Sequence, residues 1–317
     1  MKKYCLLWVL SFACLTVEAQ QEPQLTQFMF NKMAYNPAYA GTFESPTLAA
    51  IYRKQWIGLD GAPETQVLSY TQRALNNRIG LGGTLTRHVV GISRNITLDV
   101  PYAYHIPVKR GTISAAVQFN VRHLYQNWAD ERLRPSQMLD NAIPTEAQSK
   151  YLVNFGTGIF YSGTHWFAGL AAPRLLNNNI DFLDFDEEMS REVQHIYGML
   201  GTSFYINKDL ELTPQALLKY AIGAPFDMDV NTSIMWKRKF YGGLGYRLGG
   251  DTNGVGESVD VMFGLQATEN LFFCFSYDIG LTRLRRYNSG SIEATVRWWF
   301  NPPAQVEGGQ IETGRPW

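Results

Sequence analysis

Side chains that carry out chemistry in enzymes are few in this sequence, and their spacing matches no known kind of site. Metal-binding histidines usually recur within a few residues of one another, whereas the histidines here are far apart along the chain. The sequence has neither the Gly-x-Ser-x-Gly turn of a hydrolase nor a phosphate-binding Walker loop. We therefore predict no catalytic residue, no metal site and no cofactor, and a protein that is not an enzyme. The histidines are His88, His105, His123, His165 and His195.

One acidic segment has side chains that could bind a cation. Asp181, Asp184, Asp186, Glu187 and Glu188 follow three consecutive asparagines in a stretch without strand periodicity. Ca²⁺ prefers such oxygen ligands, but their spacing does not match the EF-hand loop. The sequence favours a solvated surface loop and leaves a calcium site as the alternative.

The first residues are organised as an export signal. Two lysines precede an apolar run over residues 4–15, and Ala19 ends a small-residue cleavage site. We predict a signal peptide over residues 1–19. A membrane anchor and a lipoprotein acylated at Cys14 are the alternatives. No later stretch approaches the roughly 18 apolar residues of a transmembrane helix, so we expect any membrane crossing to use a β-barrel.

The composition restricts the class of protein further. Charged residues make up 18% of the chain and the formal net charge is zero, so the electrostatic footprint of a nucleic-acid-binding protein is missing. Aromatic residues make up 14%, which is typical of a β protein that exposes aromatic side chains. Cleavage after Ala19 leaves Cys274 alone, which excludes an intramolecular disulfide and a cysteine-based zinc site.

From residue 47 onward the chain is a succession of segments in which apolar and polar residues alternate. In the clearest one, over 96–106, Val100 and Tyr104 share a face with other apolar residues, while Asp99 and His105 take the opposite face. Bacterial barrels have an even number of such strands, and about fourteen are present. The predicted strands cover 47–56, 65–73, 79–89, 93–107, 112–125, 150–161, 165–175, 191–206, 210–222, 228–236, 240–248, 257–267, 271–281 and 291–300.

The connections between these segments alternate between short and long. The same alternation of faces would suit a soluble periplasmic sandwich, but short turns on one rim and long loops on the other are typical of an outer-membrane barrel with both termini in the periplasm. The last strand ends in Trp298, Trp299 and Phe300, as expected at a membrane interface. We predict an all-β, up-and-down antiparallel transmembrane barrel over 47–300 and a flexible tail over 301–317.

Hydrophilic residues on the face opposite the apolar one are predicted to point into the lumen. They would either cross-link a closed interior or line a path for solutes. These lumen candidates are Asp99, Gln118, Arg122, Glu211, Lys219, Asp229, Arg247, Asp278 and Arg297.

The segment before the first strand, residues 20–46, follows a different pattern. Leu25, Phe28 and Met33 recur at roughly helical spacing, and Asn36-Pro37 would end a helix because the residue before a proline avoids the α region. We predict a short amphipathic helix in or under the periplasmic mouth. It would be either a structural plug or an element that docks a partner.

Two stretches resemble a known family. Residues 27–41 end in Asn-Pro-Ala-Tyr-Ala-Gly, and residues 52–66 read Tyr-Arg-Lys-Gln-Trp-Ile-Gly-Leu-Asp-Gly-Ala-Pro-Glu-Thr-Gln. Both are similar to segments of the PorP/SprF family of the type IX secretion system of the Bacteroidota. The resemblance implies an outer-membrane protein of the secretion and gliding motility apparatus, with periplasmic ring and lipoprotein components, secreted proteins or surface adhesins, and outer-membrane lipid as partners. It supplies no catalytic residues.

We therefore expect an anchor or adaptor for secreted surface proteins and periplasmic ring components. A passive channel or hydrophobic-ligand transporter of the outer membrane is the alternative. The residues expected to form the plug or bind a partner are Gln27, Phe28, Phe30, Asn31, Asn36, Pro37, Tyr39, Gly41, Trp56, Gly58, Asp60, Gly61 and Pro63.

Overall fold

A computed structural model describes residues 22–130, 146–182, 190–222, 224–249 and 256–301, which form one closed antiparallel β-barrel. Each strand pairs with its neighbours in sequence, and the first strand pairs with the last to close the sheet at a seam. The strands are β1 (Thr47–Lys54), β2 (Glu64–Ala74), β3 (Ile79–Val90), β4 (Ser93–Val108), β5 (Gly111–Gln126), β6 (Gln148–Gly163), β7 (Trp166–Ala172), β8 (His195–Thr202), β9 (Phe204–Asn207), β10 (Leu210–Ala221), β11 (Asp227–Trp236), β12 (Phe240–Leu248), β13 (Ser258–Gln266), β14 (Leu271–Gly280) and β15 (Ser291–Trp299).

The barrel has fourteen strands because β8 and β9 are two halves of one strand. Both pair with β10, and Ser203 alone separates them. Opposite this break lies Pro214, which has no N–H to donate across the ladder. Pro101 similarly coincides with a gap in the β3–β4 ladder, while β4 continues in register with β5. The two prolines therefore interrupt pairing on one side and do not end their strands.

Alternation along the strands separates a lipid-facing surface from the lumen, as the sequence predicts. In β4, Leu98, Val100 and Tyr102 are exposed on the outer surface, whereas Thr97 and His105 are buried inside. The apolar side chains that the fold leaves exposed form a belt around the barrel, which is the surface that a membrane barrel presents to lipid. No helix in the described part of the chain has the length and apolar character needed to cross a bilayer.

The two rims differ in the length of their connections, again as predicted. One rim, here the short-turn rim, has tight hairpins such as residues 75–78 and 237–239; the other, the long-loop rim, carries connections such as 55–63 and 281–290. Asn76 and Asn77 have positive φ, a conformation that asparagine tolerates better than most residues. The seam begins at the short-turn rim, where Thr47 pairs with Trp299.

The predicted amphipathic helix is wrong in form. The segment folds into three single 3-10 turns, Phe28–Phe30, Lys32–Ala34 and Pro37–Tyr39, with non-helical backbone at Asn31 and Asn36 between them. It has no solvated face, because strands surround it. Polar residues are buried along with the apolar ones, which removes the reason for one-sided periodicity.

Several predicted segments lie outside the described residues. These are the signal peptide over 1–19, most of the tail over 301–317, and Asp184, Asp186, Glu187 and Glu188 of the acidic segment.

Candidate functional site

Residues 22–46, here called the plug, run through the lumen. Glu22 contacts Arg122 and Arg174, which lie near the ends of β5 and β7 that face the long-loop rim. At the other end, the Ser45 hydroxyl donates a hydrogen bond of 2.6 Å to the carbonyl of Asn301 beside the short-turn rim. The sequence predicts a position in or under the short-turn mouth, and the plug extends farther, into the opposite half. Its wall contacts include Ser69 of β2, Gly80 of β3, Ile159 of β6, Tyr197 of β8, Tyr241 of β12 and Glu293 of β15.

Aromatic contacts hold the plug against several parts of the wall. The Phe30 ring lies 4.9 Å from the ring of Phe272, measured between centroids, and the Tyr39 ring lies 5.3 Å from that of Phe160. The Lys32 amine lies 4.4 Å from the centre of the Phe167 ring, over the electron-rich face of that ring. These contacts make the plug part of the hydrophobic core.

Polar contacts attach the beginning of the plug to the seam. The backbone N–H groups of Thr26 and Gln27 donate to the two carboxylate oxygens of Glu293 at 2.8 and 2.9 Å. Arg53 of β1 lies 3.1 Å from Glu293 of β15 and 2.7 Å from Asp278 of β14. Since all three charged side chains are almost fully buried, each charge depends on the others for its stability.

Glycines in the wall allow the plug to approach closely. A Cβ atom on Gly80 would lie 2.0 Å from the carbonyl oxygen of Ala40, and one on Gly82 would lie 2.5 Å from the Met33 sulfur. The sequence predicts such close approach at strand glycines, and the group that approaches here is the plug.

Asn36 attaches the middle of the plug to β6. Its side-chain nitrogen donates to the carbonyl of Ile159 at 2.9 Å, and its side-chain oxygen accepts from the N–H of Ala38 at 2.9 Å. Gly158 and Gly169 face it, and a Cβ on either would collide with the amide group. One amide side chain therefore both caps a turn of the plug and joins it to the wall.

An ion cluster holds the first residue of the plug, Glu22, on the side of the long-loop rim. Arg122 lies 2.7 Å from Glu22 and 3.1 Å from Glu192, and Arg174 also pairs with Glu22. Burial alone would raise the pKa of Glu22, but the two guanidinium groups outweigh it and hold that pKa well below its ordinary value of 4.5. Glu22 is therefore an ionised anchor at neutral pH.

The other lumen candidates form contacts with neighbouring side chains or with the plug. Asp229 lies 2.7 Å from Lys219 and accepts a hydrogen bond from Arg247 at 2.8 Å. Asp99 accepts from Gln118 at 3.1 Å. Glu211 accepts from Ser203, Asp278 pairs with Arg53, and Arg297 donates to the carbonyl of Phe30 in the plug.

A cavity of about 690 Å³ lies between the plug and the long-loop rim. Plug residues Glu22, Leu25 and Tyr35 contribute to its lining, together with Asn95 and Trp128 from the wall and the rim. The indole N–H of Trp128 is buried and has no hydrogen-bond partner among the described residues. The size of the cavity and its mixed apolar and polar lining fall in the range of binding pockets.

The structure separates the predicted site residues into two groups. Those between Gln27 and Gly41 lie in the plug. The others lie in the β1–β2 connection at the long-loop rim, and among the described contacts none joins them to the plug. This rim loop is braced by neighbouring loops: the N–H of Ile57 donates to Gly290 at 2.8 Å, and that of Gly91 donates to Gly61 at 2.9 Å. The plug group is Gln27, Phe28, Phe30, Asn31, Asn36, Pro37, Tyr39 and Gly41; the rim group is Trp56, Gly58, Asp60, Gly61 and Pro63.

Sequence reasoning missed the residues that join the plug to the barrel. The main ones are Glu22, Arg53 and Glu293. For Arg53 and Glu293 the sequence did offer a signal, because each is a charged residue on the lumen face of a predicted strand. No group of three potential metal ligands occurs among the described residues. Cys274 is buried as a free thiol.

Comparison with known proteins identifies one family. The model of the family described as "Type IX secretion system membrane protein PorP/SprF" matches residues 17–298. No curated protein sequence matches the chain. Among solved structures, Omp33, an outer membrane protein of Acinetobacter baumannii, has a TM-score of 0.50 and 8% identity over 82% of this chain and all of that one. The CymD monoaromatic hydrocarbon channel has a TM-score of 0.52 and 11% identity over 87% of this chain and 92% of that one. At these identities the likeness shows an outer-membrane barrel fold and nothing of function.

Proposed function

Because the chain belongs to the PorP/SprF family of type IX secretion system membrane proteins, we propose that it acts as a closed anchor or adaptor within that system. In this role it holds secreted surface proteins on one side of the outer membrane and periplasmic components of the machinery on the other. The barrel would serve as a scaffold with two docking rims, and not as a conduit.

The plug is the observation that carries this proposal. It is attached through Glu22, Glu293 and Asn36 to widely separated parts of the wall, and its aromatic side chains are part of the core. A channel needs a continuous aqueous or apolar path, which such a segment would obstruct. The cross-linked lumen charges support the same conclusion, because paired and desolvated ions are costly to separate.

We assign the short-turn rim to the periplasm and the long-loop rim to the cell exterior, as in other single-chain barrels. The chain end after β15 then lies on the periplasmic side. The basic turn Lys237–Lys239 lies there too and would attract an acidic periplasmic component. The rim loop over 55–63 and the cavity beside Trp128 would then face the exterior. There a segment of a secreted protein would occupy the cavity and accept a hydrogen bond from the indole N–H of Trp128.

A passive channel or hydrophobic-ligand transporter is the competing function. Single-channel recordings in planar bilayers separate the two. We expect no conductance from the wild-type protein and an ohmic conductance from a variant that lacks residues 24–41, provided that heat-modifiable gel migration shows a folded barrel. Steady conductance of the wild-type protein would contradict the proposal.

Affinity purification tests the adaptor role directly. A C-terminally tagged protein extracted from native membranes is expected to bring down periplasmic ring components and a secreted protein. The change K237Q/R238Q/K239Q should weaken the first interaction, and Asp60→Lys should weaken the second, each without affecting the other. Purification of the wild-type protein with neither class of partner would refute the adaptor role.

A further inference from the structure

The connection between β14 and β15 places three arginines together at the long-loop rim. Arg283, Arg285 and Arg286 lie in a single 3-10 turn and are all exposed. Leu284 and Tyr287 are exposed as well, at 43% and 72%. The whole connection over 281–290 contains no acidic residue.

The described part of the chain supplies no carboxylate partner to the three guanidinium groups. Among the described residues none of them forms an ion pair, and the acidic residues of adjacent loops, Asp60 and Glu257, are not paired with them. Three like charges within one turn repel one another, so the arrangement is stabilised when an anion is bound.

The turn has a fixed shape. The N–H of Arg285 donates to Thr282 at 3.1 Å, that of Tyr287 donates to Leu284 at 2.9 Å, and the Asn288 side chain donates to the carbonyl of Leu284 at 2.6 Å. The arginines are therefore presented together on an ordered segment, which lowers the entropic cost of binding.

The turn also stands at the edge of the lipid-facing surface. The strand leading to it exposes an apolar column of Phe273, Phe275, Tyr277 and Ile279. The Tyr277 hydroxyl donates to the carbonyl of Ser289 at 2.5 Å, which ties the column to the same loop. Aromatic residues of this kind mark the depth at which hydrocarbon gives way to headgroups. The arginines thus follow, on the rim side, an apolar column that faces outward from the barrel.

We propose that this arginine turn binds the phosphate groups of lipid A in the outer leaflet. A guanidinium group donates two parallel hydrogen bonds to a phosphate, and the neighbouring Leu284 and Tyr287 contact the glycolipid beside it. The choice of leaflet rests on the proposed orientation of the barrel, whereas binding to the lipid in detergent does not. Failure of this inference therefore leaves the adaptor role untouched.

The test measures lipid binding to full-length protein that has been refolded in detergent, by native mass spectrometry. The probes are phosphorylated lipid A, the same lipid with its phosphates removed, and inorganic phosphate. Each basic residue near an anionic lipid surface contributes about fivefold in affinity, so R283Q/R285Q/R286Q should weaken binding of phosphorylated lipid A by about 100-fold. R283K/R285K/R286K, which keeps the charge, should lose about tenfold or less.

The matched control is K237Q/R238Q/K239Q, which removes the same charge from a turn on the opposite rim. It should change lipid A binding by less than about threefold. Equal losses in both glutamine variants would show non-specific attraction and overturn the proposal, as would equal binding of dephosphorylated lipid. Displacement of lipid A by an equal concentration of inorganic phosphate would make this a free-phosphate site and refute the lipid assignment.

Discussion

Three glycines of β3 allow the attachment of the plug to be measured as a graded series. Gly80 and Gly82 face the plug, whereas a Cβ on Gly83 would meet nothing within 4 Å. At Gly80 the new methyl group would lie 2.0 Å from the carbonyl oxygen of Ala40, which is backbone and cannot rotate away. At Gly82 it would lie 2.5 Å from the Met33 sulfur, which belongs to a flexible side chain. The stability of the alanine variants should therefore depend on which group the new methyl contacts.

Magnitudes follow from two opposing effects. Replacing glycine by alanine within a strand stabilises it by about 0.5–1 kcal/mol, and overpacking costs about 1–3 kcal/mol or more. Gly83→Ala should then raise the stability slightly, and Gly82→Ala should cost about 1 kcal/mol. Gly80→Ala should cost about 3 kcal/mol, which corresponds to a rise of roughly 100-fold in the open population of the plug.

Hydrogen-exchange mass spectrometry over residues 26–41 reads out that population directly, because locally opened segments exchange their amide protons. Gly80→Ala should accelerate exchange across the plug while the strands stay protected. Gly83→Ala is the matched control on the same strand. If the plug exchanged at the same rate in these two variants, close packing at Gly80 would not hold it, and our account of the wall glycines would be wrong.

Three further predictions concern lipid facing, the seam and pH. Val100→Arg should lower the free energy of unfolding by about 2–4 kcal/mol in detergent-refolding titrations, because Val100 faces lipid near the middle of β4. Asp99→Asn should be tolerated far better, and the reverse order would mean that the two faces are wrongly assigned. Arg53→Met should destabilise the barrel by about 3–5 kcal/mol in urea titrations, because two buried carboxylates lose their cation; an unchanged midpoint would contradict this. Although burial opposes it, two arginines hold the pKa of Glu22 below 4.5, so its carboxylate should stabilise the plug fully above pH 4.5 and lose this effect as the pH falls towards the lower folded value. The contribution of Glu22 is the difference in plug exchange, corrected for intrinsic rates, between the wild-type protein and Glu22→Gln. This difference should be constant above pH 4.5 and shrink below it, and a difference that persisted to low pH would contradict the assignment.

The strands could be predicted from the sequence because each has one face in lipid and one in the lumen. That contrast imposes a period of two, as at Asp99 and Val100, and the period survives local irregularities. The ends of strands carry a weaker signal than their centres. Over 191–206 the sequence predicts one strand, but Arg191 forms only an isolated bridge to Asn179, and the ladder begins at His195.

The plug could not be predicted in form because the helical interpretation assumes one buried face. Inside a barrel the plug is surrounded by strands on all sides, so Lys32 and Asn36 are buried as fully as Phe28. The sequence also does not predict which of the anchor residues contact each other. Arg53 and Glu293 are separated by 240 positions in the chain, and the lumen face of a strand does not reveal which charge lies across the seam.

The position of Glu293 has a consequence for how the molecule is made. Its carboxylate holds amide groups that precede β1, while Arg53 of β1 reaches back to it from the other side of the seam. One carboxylate on the last strand thus serves both the plug and the first strand, so the plug gains this anchor only once the last strand has reached the first. Pairing of the first strand with the last and fixation of the plug at Glu293 are thereby coupled.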